Sequence, residues 1–162
     1  MTPEQAVFLR DFLLEQLERE HALTRKVIAA LPESQRDFRP HPKATAALEL
    51  AWHIIDAETV LFGAIAQGSI EEMRPSDEMP ESVAELLSYA DVLIPPLRES
   101  IRELDGEVLA QPTVLGKTVQ PLVNHVAFVL KHTIHHRGQL SAYLRAMGAV
   151  VPGVYGPSAD DR

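Results

Sequence analysis

LVNHVAFVLKHTIHHRGQLSAYLRAM, residues 122–147, is the stretch that says most about the fold of this 162-residue chain. Apolar residues and histidines recur in it at intervals of three and four, which predicts a long helix. We expect this helix to begin near Thr118 and to end at Met147, because Gly148 is a typical C-terminal stop. Residues 122–130 are apolar nearly all round, which predicts burial on two sides, against a bundle core and at a subunit interface.

Three further segments have the periodicity of amphipathic helices and stop at a proline or a glycine. Thr2 and Gln5 form a capping-box pattern at the start of the first. Pro95 and Pro96 remove two amide donors from the third, so we expect a kink or a break there, and we expect Gly106 to end it. The three segments cover residues 2–31, 45–67 and 81–104.

The remaining sequence contains no segment of useful length with strand periodicity, and residues 111–118 are predicted to form an irregular crossover. Four amphipathic helices without strands predict an all-α fold, a four-helix bundle. The chain length suits a single domain over residues 1–162, with residues 149–162 as an irregular C-terminal segment.

Composition excludes several classes of function. Lys and Arg number 15 against 23 Asp and Glu, a net charge of −8, and this acidic balance argues against nucleic-acid binding. The chain has no cysteine, which excludes disulfides, thiolate–zinc sites and cysteine nucleophiles. The longest apolar runs are far shorter than the roughly 20 residues that cross a bilayer, and no signal-peptide pattern is present. We expect no membrane partner and a cytoplasmic location.

The seven histidines are the most informative feature of the sequence. His132 and His136 are four residues apart, so on a helix both rings point the same way one turn apart. Both lie on the predicted inward stripe, where an imidazole must be neutral, hydrogen-bonded or ligated. His53 lies on the apolar stripe of the second helix, and a third imidazole from there would complete a set that leaves one coordination position open. The alternatives are a satisfied core histidine for His53 and a surface-facing pair on the fourth helix.

The other four histidines are weaker candidates for metal ligands. His125 lies about two turns from His136, roughly 16 Å along the helix axis, so we favour a core role over a fourth ligand. His135 points about 100° away from His136 and is predicted not to ligate. His21 and His41 have no context that assigns them a function.

Several neighbours of the candidate ligands could support them. Asp56 and Gln139 each follow a candidate ligand by three residues, so each could hydrogen-bond that ligand or a bound water, or could be a solvated surface side chain. Glu58 is rotated about 140° from His53 on the helix and is a weaker candidate for a base. Arg137 is expected to serve the fold or an interface.

Residues 132–148, which contain HHRGQL, resemble the signature of the DinB-like (DinB/YfiT) metal-binding family. Residues 151–160, which contain YGPSAD, and the connection at residues 31–43 also resemble that family. The resemblance therefore covers nearly the whole chain. It implies an up-down-down-up bundle, usually a homodimer, that holds a divalent metal ion. Matched by position, the implied ligands are His53, His132 and His136.

Such a site suggests two reaction classes. Three neutral imidazoles leave the charge of a divalent ion uncompensated, so a bound water or thiol would be acidified. That chemistry suits hydrolysis or the attack of a thiolate on an electrophile. Relatives of the fold use low-molecular-weight thiols, so the resemblance favours a thiol-dependent transferase that acts on a small electrophilic substrate. Imidazole suits several metals, and we expect zinc or nickel.

Two other functions stay open. The chain could be a non-catalytic metal-binding or sequestration module, or a structural bundle whose histidines only fill the core. Loss of metal on replacement of a candidate ligand separates the last reading from the others, and a thiol-conjugation assay separates an enzyme from a sequestration module.

Overall fold

The computed structural model describes residues 1–70, 73, 76 and 78–161. Within them the chain forms five α-helices and one antiparallel hairpin of two strands. A single 3-10 turn, Glu33–Gln35, lies between the first two helices. In chain order the elements are α1 Pro3–Ala29, α2 Ala47–Ala66, α3 Val83–Arg102, α4 Gly106–Ala110, β1 Pro112–Leu115, β2 Thr118–Pro121 and α5 Asn124–Met147.

Local hydrogen bonds set the ends of the long helices. Thr2 Oγ1 accepts a hydrogen bond from the Gln5 N–H at 3.3 Å, and Gln5 Oε1 accepts one from the Thr2 N–H at 3.0 Å. This reciprocal pair is the predicted capping box, and it satisfies amide donors that the first turn of a helix leaves free. Gly148 ends α5 with φ 73°, a left-handed conformation that glycine adopts without a Cβ clash.

Helices α1 and α3 pack side by side in opposite directions. Arg10, early in α1, donates a hydrogen bond to the Leu104 carbonyl just beyond the end of α3, at 2.8 Å. Arg25, late in α1, pairs with Asp91 in the first half of α3, at 2.7 Å. Contacts therefore move backwards along α3 as α1 advances, and the two helices are antiparallel.

Helices α2 and α3 run in the same direction. The Trp52 ring packs edge-on against Tyr89, with 5.1 Å between ring centroids. Further along both helices, Glu58 lies 3.8 Å from Arg98. Contacts therefore advance together along this pair.

Helices α1 and α5 are also parallel, because Ala6 and Val123 share a small apolar cluster and Arg137 donates to the Glu20 carbonyl further along. With α2 and α3 running the other way, the four long helices form an up-down-down-up bundle. The prediction of a four-helix bundle is therefore confirmed. Its interior contains the fully buried side chains of Leu14, Leu17, Ile28, Ile54, Ile55, Phe62, Ile65, Leu86, Ile94, Ile101 and Leu122.

The sequence predicts a kink or a break in the third helix, and the break is wrong. Helix α3 continues through Pro95 and Pro96, and both prolines lie on its exposed face between the buried Ile94 and Arg98. The carbonyls that lose an amide partner in this helix are those one turn before the prolines, and an exposed face lets water satisfy them. Gly106 does not end α3 but begins α4, where a Cβ would lie 2.6 Å from the Pro3 carbonyl oxygen.

The predicted crossover at residues 111–118 and the predicted start of the last helix at Thr118 are also wrong. Strands β1 and β2 pair in register, with Val114 opposite Val119. Gly116 makes the turn with φ 62°. Because Thr118 belongs to a strand, α5 begins only at Asn124.

The apolar stretch at the start of α5 is covered partly from within the chain. Val123 packs with Ala6 of α1 and Leu109 of α4, and all three side chains are fully buried. The second buried side that the sequence predicts is thus supplied there by α4 and the start of α1. Phe128, on the same stretch, is 43% exposed.

The C-terminal residues 149–161 contain no helix or strand and lie against the bundle. Arg137 is buried, pairs with Glu20 at 2.5 Å and donates to the Tyr155 hydroxyl at 2.6 Å. Arg145 makes two hydrogen bonds to the Asp160 carboxylate. The YGPSAD stretch is therefore held by arginines of α5, and Arg137 serves the fold as expected. Among the described residues, no helix is long and apolar enough to cross a membrane.

Candidate metal centre

The bundle brings His53, His132 and His136 together. His53 lies in the second turn of α2, and the other two lie one turn apart on α5, which packs against α2. Each ring offers one nitrogen such that all three lie within 4.8 Å of one another. The Nε2 atoms of His53 and His132 are 3.0 Å apart. The predicted set therefore converges from two separate helices.

These separations fit a metal ion. Ligand nitrogens at 2.0–2.1 Å from a tetrahedral ion lie about 3.3 Å from each other. The 3.0 Å between the Nε2 atoms of His53 and His132 is close to this nitrogen–nitrogen separation. The 4.8 Å limit for the whole set is wider, so the rings need a small rotation to close on one ion. Three histidines so placed could hold a metal.

Gln139 fixes the orientation of one candidate ligand. Its Oε1 lies 3.0 Å from His136 Nδ1, and a carbonyl oxygen can only accept, so that ring nitrogen donates the proton. The lone pair of His136 is then on Nε2, free for an ion. The predicted supporting role of Gln139 agrees with this geometry.

The site lies at the rim of the bundle and not on the inward stripes that the sequence predicts. His53 is exposed, and His132 and His136 are half-buried. The fully buried neighbours are Ile54 on α2 and Thr133 on α5, each one position further round its helix. A shift of one position rotates a side chain by about 100°, which moves the rings from core to rim. Solvent and small molecules can therefore reach the site.

The electrostatic environment lowers the pKa of two of the three rings, those of His53 and His132. Burial, as the larger cause, and charge repulsion from the neighbouring rings of His136, His53 and His135 together lower the pKa of His132 to about 4. Burial also lowers the pKa of His53, with a smaller contribution from His136, while the Asp56 charge acts in the opposite direction. At neutral pH the lone pairs of His53 and His132 are thus available to a cation.

Asp56 is predicted either to hydrogen-bond a ligand or a bound water, or to be a solvated surface side chain. Its Oδ1 accepts a hydrogen bond from the Ser76 N–H at 3.0 Å. Its influence on His53 is electrostatic, through the pKa described above.

The other histidines lie outside the cluster. His125 is fully buried between Thr113 Oγ1, at 2.8 Å, and Gln120 Nε2, at 3.1 Å, so the predicted core role agrees with its surroundings. His135 is exposed beside the His136 ring. His41 accepts a hydrogen bond from the Lys43 N–H at 3.1 Å in a surface turn.

Glu58 is not at the histidine site. Its side chain is buried in the bundle, with Oε2 3.5 Å from His21 Nδ1 and Oε1 3.8 Å from an Arg98 nitrogen. The weaker prediction of a base at Glu58 is therefore wrong. Ile54, Glu58 and Phe62 share one face of α2 at a spacing of four, and this pattern could have placed Glu58 in the core.

An apolar cleft of about 580 Å³ adjoins the site, and sequence analysis missed it. His53 lines one end, and the walls come from α2, from the hairpin turn and from Phe128 of α5. The cleft could not be predicted because the hairpin itself was missed. The Leu115-Gly116-Lys117-Thr118 sequence between two valines was the available turn signal.

Comparisons with known proteins agree with this fold. A family model described as the DinB family matches residues 5–162. The uncharacterized protein YrdA of Bacillus subtilis (strain 168) is 44% identical over 34 residues, which make up 21% of this chain and 20% of YrdA. The chain thus matches about a fifth of the length of that curated relative.

Two solved structures are similar to the bundle. A DinB-like protein from Bacillus cereus ATCC 10987 has a TM-score of 0.74 at 22% identity, over 88% of this chain and 95% of that one. The DinB-like protein YjoA from Bacillus subtilis has a TM-score of 0.72 at 17% identity, over 90% and 97% of the two chains. At these identities the likeness concerns the fold alone.

Proposed function

Because this chain belongs to the DinB family, we propose that it is a metal-dependent enzyme whose divalent ion is held by His53, His132 and His136. The observation that carries the proposal is the convergence of three imidazoles from two helices at a rim open to solvent. Zinc and nickel are the ions we expect, because imidazole nitrogen suits both.

Different residues of the chain would have different roles at such a site. When bound, the ion would supply a Lewis acid that acidifies a water or thiol at its open position. Gln139 holds His136 in the tautomer that presents Nε2. The rim position of His53 leaves space for a second molecule beside the ligand set.

The reaction we propose is the transfer of a low-molecular-weight thiol to a small electrophilic substrate, with hydrolysis as the other reaction such a site supports. A non-catalytic metal-binding or sequestration module is the alternative function. We further propose that the protein acts in the cytoplasm as a homodimer. Phe8 and Phe12, which are 74% and 52% exposed and one turn apart on α1, offer an apolar surface for a second copy.

Elemental analysis of protein made without a histidine tag tests the site. We expect about one divalent ion per chain in the wild type, and loss of that ion in His53→Ala and His136→Ala. His135→Ala is the matched control, because His135 is exposed beside the site but outside the ligand set. Equal metal content in all four proteins would overturn the site.

A conjugation assay tests the reaction. Metal-loaded protein is mixed with a generic electrophile and each of several low-molecular-weight thiols, and the same mixtures are repeated with a chelator. We expect chelator-sensitive conjugation with at least one thiol and none in His136→Ala. A metal-loaded protein that neither conjugates any thiol nor hydrolyses activated esters would favour sequestration.

A further inference from the structure

We propose that the cleft beside His53 binds the apolar group of an uncharged organic substrate and so selects which electrophiles reach the histidine site. The inference rests on the proposed function and adds the substrate class to it. Its first part, the binding of an apolar group, can be tested on protein that contains no metal.

Position links the cleft to the site. His53 belongs to both, as a candidate ligand and as a lining residue of the cleft. Phe128 forms the wall on the α5 side, and its ring centroid lies 6.0 Å from that of His132. A molecule that packs against Phe128 therefore places its other end at the candidate metal ligands.

The chemistry of the walls defines the ligand. Val60 and Leu61 of α2, Leu115 of the hairpin and Phe128 of α5 present hydrocarbon to the cleft. Its volume of about 580 Å³ falls within the range of small-molecule sites, which runs from about 300 to 1,000 Å³. An aromatic ring or a short alkyl chain is a suitable occupant.

The charge of the cleft walls disfavours anions in the metal-free protein. Asp56 is the carboxylate among the described lining residues, and no arginine or lysine is among them. The protein as a whole carries a net charge of −8. In the metal-free cleft a phosphorylated or carboxylated group would meet repulsion from Asp56. The walls of the cleft therefore favour a neutral group.

The hairpin wall is held from the interior. His125 bridges Thr113 of β1 and Gln120 of β2 and is itself fully buried in α5. This anchor fixes the turn that carries Leu115 and Gly116 against the cleft. The cleft is thus built on residues with defined positions, which favours selective binding over general adsorption.

The first experiment measures binding of N-phenyl-1-naphthylamine, a neutral apolar fluorophore, to metal-free protein. We expect saturable binding at one site per chain, at least tenfold weaker in Phe128→Ser. Val92→Ser is the matched control, because Val92 is more exposed than Phe128 and lies on α3, outside the cleft. Val60→Ser is the second variant, in case Phe128→Ser does not fold by circular dichroism.

The outcomes are distinct. Absence of saturable binding to the wild type, or equal weakening by Phe128→Ser and Val92→Ser, would overturn the cleft as a binding site. The anionic fluorophore anilinonaphthalene sulfonate should bind at least tenfold more weakly than the neutral probe. Asp56→Asn should reduce this difference in affinity. A sulfonate that binds as well as the neutral probe would overturn the charge argument.

The second experiment tests whether the cleft affects which substrates react. With metal-loaded protein, the ratio of kcat/KM for N-benzylmaleimide over N-methylmaleimide should fall at least tenfold in Phe128→Ser and stay unchanged in Val92→Ser. An unchanged ratio would overturn the selecting role of the cleft. Neutral-probe binding together with no turnover of either maleimide would overturn the proposed enzyme while leaving the cleft established.

Discussion

Two groups of polar side chains in this bundle have opposite surroundings. The histidine site lies at the rim, where His53 is exposed. Glu58, with His21 and Arg98 as its neighbours, lies in the interior and is 1% exposed. Both groups join side chains from different helices. The rim group keeps access to solvent and to ligands, whereas the interior group has only the protein to offset the cost of burying its charge.

The distances within the interior group are too long for good hydrogen bonds between its members. Glu58 is 3.5 Å from His21 and 3.8 Å from Arg98, beyond the range of a good direct hydrogen bond. Charge attraction is therefore what compensates the buried carboxylate. We infer that substitutions in the interior group change stability, and that substitutions at the rim change ligand binding.

The largest effect is expected for Glu58→Ala, which leaves Arg98 buried without its carboxylate. Breaking a buried pair in this way costs about 3–5 kcal/mol in the free energy of unfolding, measured by urea denaturation. Asp91→Ala is the control, because it breaks the exposed pair with Arg25 and should cost about 1 kcal/mol or less. Equal losses in the two variants would contradict the larger stabilising role of the buried pair. A double change, Glu58→Met with Arg98→Met, should restore most of the loss.

The next effect concerns metal added to the wild type. A ligand at 100 times its dissociation constant stabilises a protein by about 2.7 kcal/mol, which raises the Tm of a chain of this size by roughly 5–10 °C. His136→Ala should show no such shift with zinc, while Glu58→Gln should keep it because Glu58 lies apart from the site. A zinc shift that survives in His136→Ala would place the ion elsewhere.

A smaller effect is expected from pH on metal-free protein. The pKa of His132 is about 4 in the fold against 6.5 for the free side chain, so the unfolded chain binds the proton more readily. The contribution of His132 to stability is therefore full above pH 6.5 and is lost as the pH falls towards 4. Urea denaturation at pH 7.5 and 4.5 should show a smaller loss in His132→Gln than in the wild type. An identical loss in both would contradict the lowered pKa.

The smallest effect is expected at the C-terminal segment. Tyr155→Phe removes a hydroxyl that accepts from Arg137 and donates to Glu20 at 2.8 Å, which should cost about 0.5–1.5 kcal/mol in the free energy of unfolding. Glu20 and Arg137 remain paired in that variant, so the loss stays below that of Glu58→Ala. A loss as large as that of Glu58→Ala would mean that the segment is as important to the fold as the buried charges.

The four long helices and the three converging histidines could be predicted, because both depend on local spacing. Apolar periodicity and capping residues define a helix. Two histidines four residues apart on α5 point in the same direction whatever surrounds them. Whether that side faces the core or the rim depends on a rotation of about 100°, and the apolar pattern did not distinguish them. The sequence therefore predicts core-facing positions for His53, His132 and His136, whereas the residues that face the core are one position further along each helix.

The hairpin and the interior charge group could not be predicted from spacing. Strands β1 and β2 have four residues each, too few for a periodicity to stand out. Glu58 meets His21 and Arg98 only because α1, α2 and α3 pack around it, and such long-range contacts leave no local signal. Pro95 and Pro96 predict a kink or a break in α3, but the helix continues through them because both lie on an exposed face.

Anomalous diffraction at the zinc edge, from crystals of tag-free protein grown with zinc, tests the central claim most directly. We expect one strong peak at about 2.0–2.1 Å from a ring nitrogen of each of His53, His132 and His136, with His136 bound through Nε2. A peak held by other residues, or no peak among these three rings, would contradict it.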